Sequence, residues 1–196
     1  TELGYKDFTP VALLVEDFSV ITVGAGSPIK GLRDLVDQLK TDPGAVSFGM
    51  VSRGGPNHLA LSQAMRSAGV DVKKLRIVVF KTNAQSMTAA MGGHIQAVVS
   101  SVSAALPQAQ AGNTRMIAVA APKRIPGTLA SLPTMREQGV DATGISNWRA
   151  IFATKGVTPA QLAFWVEALA KVTASEEWKK DIDATNMTPH YLRSAA

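Results

Sequence analysis

Three times between residues 45 and 112 the chain repeats one pattern, in which an apolar run passes through a short polar loop into a helix-like run. The three copies are AVSFGM, VSRGGP and NHLALSQAMRSAG; LRIVVF, KTN and AQSMTAAMGG; and HIQAVVS, SVS and AALPQAQAG. Strands that alternate with helices at this spacing predict βαβ units and a parallel sheet. The pattern therefore places the chain in the α/β class.

The flanking sequence predicts further elements. VALLVEDFSVITVGAGSP is typical of one long strand or two short ones, and TRMIAVAAP is typical of another strand. IKGLRDLVDQLKTDPG spaces its leucines as an amphipathic helix that stops at DPG. After a Pro-rich stretch over 122–133, we expect a short helix near Met135, a strand in NWRAIFAT, and helices over about 159–171 and 175–183.

Composition argues against several classes of function. With 196 residues, of which 46% are hydrophobic and 18% charged, the chain has the composition of a folded domain. The net charge of +5 comes from scattered basic residues that do not alternate with aromatic ones, so we expect no binding to nucleic acid. The charge predicts a mild preference for anionic ligands instead. The absence of cysteine excludes disulfides and thiolate chemistry.

No enzymatic or metal-binding constellation is recognisable in the sequence. The histidines His58, His94 and His190 lie far apart and outside any metal-ligand spacing. There is neither a nucleophile elbow nor a Walker loop. We therefore expect no catalysis, no metal and no cofactor. The longest uncharged apolar stretch, around residues 95–106, is too short to span a bilayer.

The first polar loop carries the strongest binding signal. In an open parallel sheet, ligands bind where strands end and helices begin, because the first N–H groups of a helix lack partners and its dipole end is positive. In SRGGPNHLAL, Gly54 and Gly55 let a ligand approach the backbone, and the proline suits a first helical turn. Ser52 and Arg53 add a hydroxyl and a cation, and an arginine can grip a carboxylate.

This loop has two interpretations. In the first, the backbone N–H groups of Asn57 and His58 face a small anion, which we expect to be a carboxylate. In the second, the loop is a capped tight turn whose His58 packs on its own helix. The residues alone favour neither interpretation.

The other two loops give weaker signals of the same kind. In KTNAQ, Thr82 and Gln85 match a capping box, which explains these two residues without a ligand. The capping box does not explain Lys81. Ser100 and Ser101 bring hydroxyls to a strand end, where serines are also ordinary N-caps. The candidate ligand-binding residues are thus Ser52, Arg53, Gly54, Gly55, Asn57, His58, Lys81, Thr82, Asn83, Ser100 and Ser101.

Five segments, read together, carry a resemblance over essentially the whole chain. They are FTPVALLVEDFSVITV, SRGGPNHLA, FKTNAQSMTAAMGGHIQAVVSSVSAALPQAQAGNTRMIAVAAPKRIPG, LPTMREQGVD and NWRAIFATKGVTP. Their order resembles that of the tripartite tricarboxylate transporter substrate-binding proteins, the TctC or Bug family. The NWR segment and the tail EEWKKDIDATNMTPHYL look closer to the tricarboxylate-type members than to those that bind amino acids.

The resemblance implies a periplasmic-binding-protein-like fold of type II and an extracytoplasmic receptor. Such a receptor closes two α/β domains on a small di- or tricarboxylate and delivers it to the permease subunits of a membrane transporter. Residues 10–122 would form domain 2, with the anion-binding helix N-termini, and residues 123–196 would be C-terminal elements of an incomplete domain 1. Family members begin with a further segment that forms the opposite wall of the cleft, and we expect this chain to lack it. The opening TELGYKDFTP shows no signal-peptide pattern, so the periplasmic location rests on the resemblance.

The candidate site departs from the family pattern in two loops. The family has a Gly-x-Gly loop followed by Ser or Thr, whereas Ser52 stands here for the first glycine and Gly55 for the hydroxyl residue. The aromatic-Lys-Gly motif of the family becomes FKTN. Arg53 would compensate in the first loop. The departures leave open an alternative function, a ligand-sensing or protein-interaction module that has lost transport.

Two further expectations concern the C-terminal third. Arg149 either points into the cleft to pair a second carboxylate or stacks on Trp148 through a cation–π contact, and the second arrangement is favoured. Without partner strands, the C-terminal helices should expose apolar surface and lead to self-association or disorder. The apolar residues concerned are Leu162, Phe164, Trp165 and Leu169.

Overall fold

The computed structural model describes residues 4–142 and 144–194. The chain divides into two compact units. The larger unit covers residues 18–147, and the smaller unit joins residues 1–17 to residues 148–196.

The limits of these units differ from the expected domains, 10–122 and 123–196. The segment that follows residue 122 belongs to the larger unit up to residue 147, because its apolar side chains are buried there. Leu129 and Leu132 lie in one core of that unit and Met135 in the other. The identification of the larger unit with domain 2 of the family stays a proposal.

The described residues form strands and helices close to those that the sequence predicts. The strands are β1 (Phe8–Gly24), β2 (Ser47–Met50), β3 (Arg76–Val79), β4 (Ala97–Ser101), β5 (Thr114–Val119), β6 (Ser146–Thr154) and β7 (Thr188–Arg193). The helices are α1 (Leu32–Thr41), α2 (Pro56–Ser67), α3 (Asn83–Met91), α4 (Val102–Gln110), α5 (Pro159–Ala174) and α6 (Glu176–Thr185). The expected short helix near Met135 is a single 3₁₀ turn over Arg136–Gln138.

The sheet of the larger unit has the strand order β3-β2-β4-β1-β5. The expected parallel pairing holds for β2, which pairs parallel with both β3 and β4. The single long strand β1 runs antiparallel to β4 and β5, so the sheet is mixed rather than parallel throughout. Ser19 lies opposite Ser101, the last residue of β4, so this part of β1 begins at the end where β4 finishes.

Helices cover both faces of this sheet. One face packs on α1 and α2, whose buried residues include Leu35 and Leu61, against Phe48 of β2. The other face packs on α3 and α4, where Met87 and Leu106 meet the second core cluster. Full burial of such side chains contributes about 1.5–3 kcal/mol each, which fixes the helices, and therefore their N-termini, on the sheet.

In the smaller unit, β7 pairs antiparallel with the first half of β1, and β6 also pairs with β1. Helix α5 begins at the predicted place, where Thr158 and Gln161 form a capping box. The hydroxyl of Tyr191 in β7 donates to the carbonyl oxygen of Val166 in α5 over 2.8 Å. In the part of the chain that the structure covers, no helix combines the length and the apolar character needed to cross a bilayer.

The expected apolar surface on α5 is present at two of its four positions. Phe164 and Trp165 are 65% and 53% exposed, and their rings form an edge contact with centroids 5.4 Å apart. Leu162 and Leu169 are half-buried. The disorder offered as an alternative outcome is not what the structure has, because residues 146–193 build β6, α5, α6 and β7.

Candidate functional site

The three predicted loops lie along one edge of the larger unit's sheet. Strands β2, β3 and β4 are adjacent and parallel, so their carboxyl ends reach the same edge. Helices α2, α3 and α4 begin directly after those ends. Since Ser19 lies opposite Ser101, the antiparallel strand β1 contributes side chains to this edge as well.

The first loop closes on the helix that follows it. Gly54 has a φ of +81°, which favours glycine, and its N–H donates to Nδ1 of His58 over 3.1 Å. The contact agrees with the second interpretation for His58, as a side chain that packs on its own helix. The N–H of Leu59 donates to the carbonyl of Gly55 over 3.0 Å, so the N–H of Asn57 lies in the first turn, before this helical bond.

Ser52 and Gly55 are close in space. A Cβ at Gly55 would lie 2.5 Å from Oγ of Ser52, a contact that a rotation of the serine side chain would relieve. Arg53 is exposed, and its Nη2 donates to the carbonyl of Ile77 in β3 over 3.1 Å, which ties the guanidinium to the neighbouring strand.

Asn57 is the centre of a hydrogen-bond cluster that joins three distant segments. Its Oδ1 accepts one bond from Oγ of Ser19 over 2.7 Å and another from Nδ2 of Asn147 over 3.2 Å. Ser19 is fully buried in β1, and Asn57 is half-buried in the first turn of α2. Sequence reasoning missed Ser19 and Asn147, because they lie 38 and 90 residues from Asn57 and no local motif marks either.

The second loop has the expected N-cap with one difference. Oγ1 of Thr82 accepts the N–H of Gln85, whereas Oε1 of Gln85 accepts the N–H of Lys81 rather than that of Thr82, both over 3.2 Å. Lys81 and Thr82 are exposed. Oδ1 of Asn83 is buried and has no hydrogen-bond donor among the described residues. Such an acceptor costs free energy unless a water or a ligand donor reaches it.

The third loop offers fewer groups than its sequence suggests. Ser100 is fully buried, and its hydroxyl donates to the carbonyl of Ser101 over 3.1 Å. Ser101 is the N-cap of α4, but its side chain makes no capping bond and lies 3.1 Å from Oγ of Ser103. The N-terminus of α4 therefore has no hydroxyl cap from its own N-cap residue, which leaves its first N–H groups to other acceptors.

The smaller unit holds the remaining sequence candidate, Arg149. Its Nη1 donates to the carbonyl of Trp148 over 3.3 Å. The ring of Trp148 contacts Phe152, with centroids 6.2 Å apart. Residues 4–142 and 144–194 contain no group of three or more His, Cys, Asp or Glu residues that could hold a metal ion.

Comparison with known proteins identifies the family of this chain. A family model described as "Tripartite tricarboxylate transporter family receptor" matches residues 1–195. The "UPF0065 protein in gbd 5'region" of Cupriavidus necator is 26% identical, over 89% of this chain and 51% of its own length. The chain spans about half the length of the curated relatives it matches.

Solved structures share the fold. A TctC solute-binding protein from Polaromonas, without ligand, superposes with a TM-score of 0.81 at 27% identity and covers 98% of this chain and 65% of its own. A Rhodopseudomonas palustris protein with adipate superposes with a TM-score of 0.78 at 23% identity, over 93% of this chain and 60% of its own. At that identity the second likeness shows the fold alone.

Proposed function

Since this chain belongs to the TctC family of tripartite tricarboxylate transporter receptors, we propose that it serves as an extracytoplasmic solute-binding protein for a small di- or tricarboxylate. Its α/β fold is that of periplasmic binding proteins of type II. Delivery of the ligand to permease subunits and a periplasmic location are parts of the same proposal.

One observation carries the proposal: the N-termini of α2, α3 and α4 lie along a single edge of the sheet, after three adjacent parallel strands. The N-terminus of each helix carries partial positive charge and N–H groups without helical partners, so the edge favours a multiply charged anion. Arg53 and Lys81 add formal positive charge in the same loops. A ligand with two or three carboxylates would match this spread of donors.

The loops also argue against an amino-acid ligand. The segments VSRGGPNH, FKTNAQ and SSVS contain no aspartate or glutamate. An ammonium group bound by these three loops alone would find no carboxylate in them, and an unpaired charge that is removed from water costs free energy. The adipate in the R. palustris protein of the same fold is a dicarboxylate as well.

A thermal-shift screen tests the proposal on the full chain. The ligands are citrate, malate, succinate and adipate, with glutamate as the amino-acid comparison and the diamide of each dicarboxylate as the uncharged control. A ligand that binds only the folded state at 100 times its Kd stabilises it by about 2.7 kcal/mol. We expect a rise in Tm with one carboxylate class and none with its amide. A chain whose Tm responds to no carboxylate contradicts the proposal and favours the alternative interaction module.

A pair of arginine variants then tests the place of binding. Arg53→Ala removes the cation of the first loop, and Arg66→Ala removes one from the last turn of the same helix. Hydrogen bonds to charged groups contribute about 1.5–3 kcal/mol, so Arg53→Ala should weaken the carboxylate roughly tenfold or more, with Arg66→Ala close to wild type. Equal affinities in the two variants would remove Arg53 from the site.

A further inference from the structure

We infer that the side-chain amide of Asn57 is the selectivity group of this edge, held by Ser19 and Asn147 so that its two Nδ2 protons are presented to an acceptor-only ligand group. The inference rests on the proposed function and deepens it. Its subject is a side chain that sequence reasoning considered only for its backbone N–H.

The first step is the orientation of the amide. The hydroxyl of Ser19 has one proton and donates it to Oδ1 of Asn57 over 2.7 Å. Nδ2 of Asn147, which can only donate, approaches the same oxygen within 3.2 Å. If the Asn57 amide turned over while Asn147 kept its orientation, Nδ2 of Asn57 would face Nδ2 of Asn147, donor against donor. The cluster therefore favours one orientation of the amide.

The second step is what this orientation leaves over. With Oδ1 of Asn57 occupied by two donors, Nδ2 is directed away from both of them. In the described part of the chain, Nδ2 makes no hydrogen bond. The amide is half-buried and belongs to the first turn of α2, where backbone N–H groups also lack helical acceptors. The buried unpaired atoms of the described chain do not include Nδ2 of Asn57, so water reaches this donor and a ligand acceptor would take the place of that water.

The third step is selectivity. A carboxylate oxygen accepts hydrogen bonds and donates none, whereas a carboxamide can turn its NH₂ toward a partner and an ammonium group only donates. A subsite that presents only hydrogen-bond donors therefore binds a carboxylate more tightly than a carboxamide or an ammonium group. If Asn57 could turn over freely, it would also serve a ligand donor through Oδ1. Ser19 and Asn147 are thus positioning residues, and Asn57 touches the ligand.

The experiment compares affinities for a carboxylate and for its amide, by calorimetry on the full chain. The probes are the tightest binder among citrate, malate, succinate and adipate, and the same molecule with one carboxylate replaced by a carboxamide. Ser19→Ala frees one side of the Asn57 amide without any change of charge. Asn147→Asp places an acceptor where a donor stood, which draws Nδ2 of Asn57 inward and turns Oδ1 outward. Asn57→Asp replaces both donors by a negative charge.

We expect Asn57→Asp to weaken the carboxylate by roughly tenfold to a hundredfold, because a charge-assisted hydrogen bond is lost. Ser19→Ala should reduce the carboxylate-to-amide ratio of affinities severalfold, and Asn147→Asp should reduce it further. For Ser19→Ala, which changes no charge, a purely structural loss would weaken both probes together and leave the ratio unchanged. The added charge of Asn147→Asp lowers the ratio by repulsion as well, so Ser19→Ala is the deciding variant. Ser47→Ala is the matched control, since Ser47 is a buried serine at the opposite end of β2 and should retain the wild-type ratio.

Two failures are distinguishable. A wild-type chain that binds none of the carboxylates overturns the proposed function and this inference with it. A wild-type chain that binds one, with Ser19→Ala at the wild-type ratio, overturns the inference and leaves the proposed function standing.

Discussion

The backbone N–H of Gly54 donates to Nδ1 of His58 over 3.1 Å, and this bond folds the loop before α2 back onto the helix it precedes. Nδ1 of His58 is therefore engaged within the loop and is not available to a ligand. His58 holds the loop in place, whereas the Nδ2 group of the neighbouring Asn57 donates no hydrogen bond within the described chain. The participation of either residue in ligand binding stays a prediction.

The conformation of Gly54 leads to the first prediction. Its φ of +81° lies in the left-handed region, where a residue with a Cβ pays about 1–2 kcal/mol. Gly54→Ala should lower the free energy of unfolding by about that amount, measured by urea denaturation. Gly26→Ala is the control, since its φ is not positive and its new Cβ would meet nothing within 4 Å. Equal unfolding midpoints for the two variants would contradict the strain argument.

The start of α1 depends on a glutamine far along the chain. Gly31, its N-cap, has no side chain, and the N–H of Leu32 donates instead to Oε1 of Gln138 over 3.0 Å. Nε2 of Gln138 donates to the carbonyl of Ile117 over 3.0 Å. Gln138→Ala leaves both groups unpaired and should cost about 1–3 kcal/mol of unfolding free energy. The exposed Gln110→Ala serves as control, and a loss no greater than that of Gln110→Ala would refute the role of Gln138.

The carboxylate of Glu137 predicts a pH dependence of stability. The N–H of Thr134 donates to this carboxylate over 2.8 Å, and Nε of Arg124 pairs with it at 2.8 Å. Both contacts favour the charged form and lower the pKa of Glu137 below its ordinary 4.5, and the Thr134 bond has the larger effect. A depressed folded-state pKa contributes stability that is present above the unfolded value and is lost as the pH falls through the folded value. Glu137→Gln should therefore reduce the acid-side loss of Tm below about pH 4.5.

Unfolding followed from pH 7 to pH 3 measures that effect. The exposed Glu167→Gln, on α5, should retain the wild-type acid profile. If both variants followed the wild-type profile, the Thr134 and Arg124 contacts would have no energetic consequence at Glu137.

The exposed rings of Phe164 and Trp165 carry the prediction of self-association. The two rings pack into no core of the described chain and leave apolar surface in contact with water. Contiguous apolar surface of this kind drives association. Light scattering over a range of concentrations should show oligomers for the wild type and fewer for a Phe164→Ser, Trp165→Ser double variant. Tyr5→Ser, another exposed aromatic position, is the control. A wild-type chain that stays monomeric at every concentration is incompatible with the prediction.

The sequence predicts most of the elements, because their signals are local. Leucine spacing identifies α1, and Thr158 with Gln161 marks the start of α5. Strand β7 was not predicted, because TPHYLR is short, contains a proline and lacks a clear alternation of apolar and polar residues. The antiparallel pairing of β1 with β4 was not predicted either, because the direction of a strand depends on which neighbour it pairs with and not on its own residues.

The shared edge of the three loops was predictable, and the contacts along it were not. Alternating strands and helices imply that their junctions share an edge, and the loops of Arg53, Lys81 and Ser101 do so. The contact of Ser19 with Asn57 spans 38 residues, and the cap that Gln138 provides for α1 spans 106. Contacts of this kind arise from packing of whole elements, which leaves no trace in a local pattern.

The most direct test of the account is to map where a carboxylate binds, by following backbone amide shifts in ¹⁵N NMR spectra of the full chain during titration with the best ligand of the screen. We predict changes that cluster in residues 52–58, 81–85 and 100–103, together with Ser19. Changes confined to the cavity of about 310 Å³ that Leu106, Thr114 and Leu132 help to line, at the opposite end of α4, would contradict the account. So would a spectrum that no carboxylate alters.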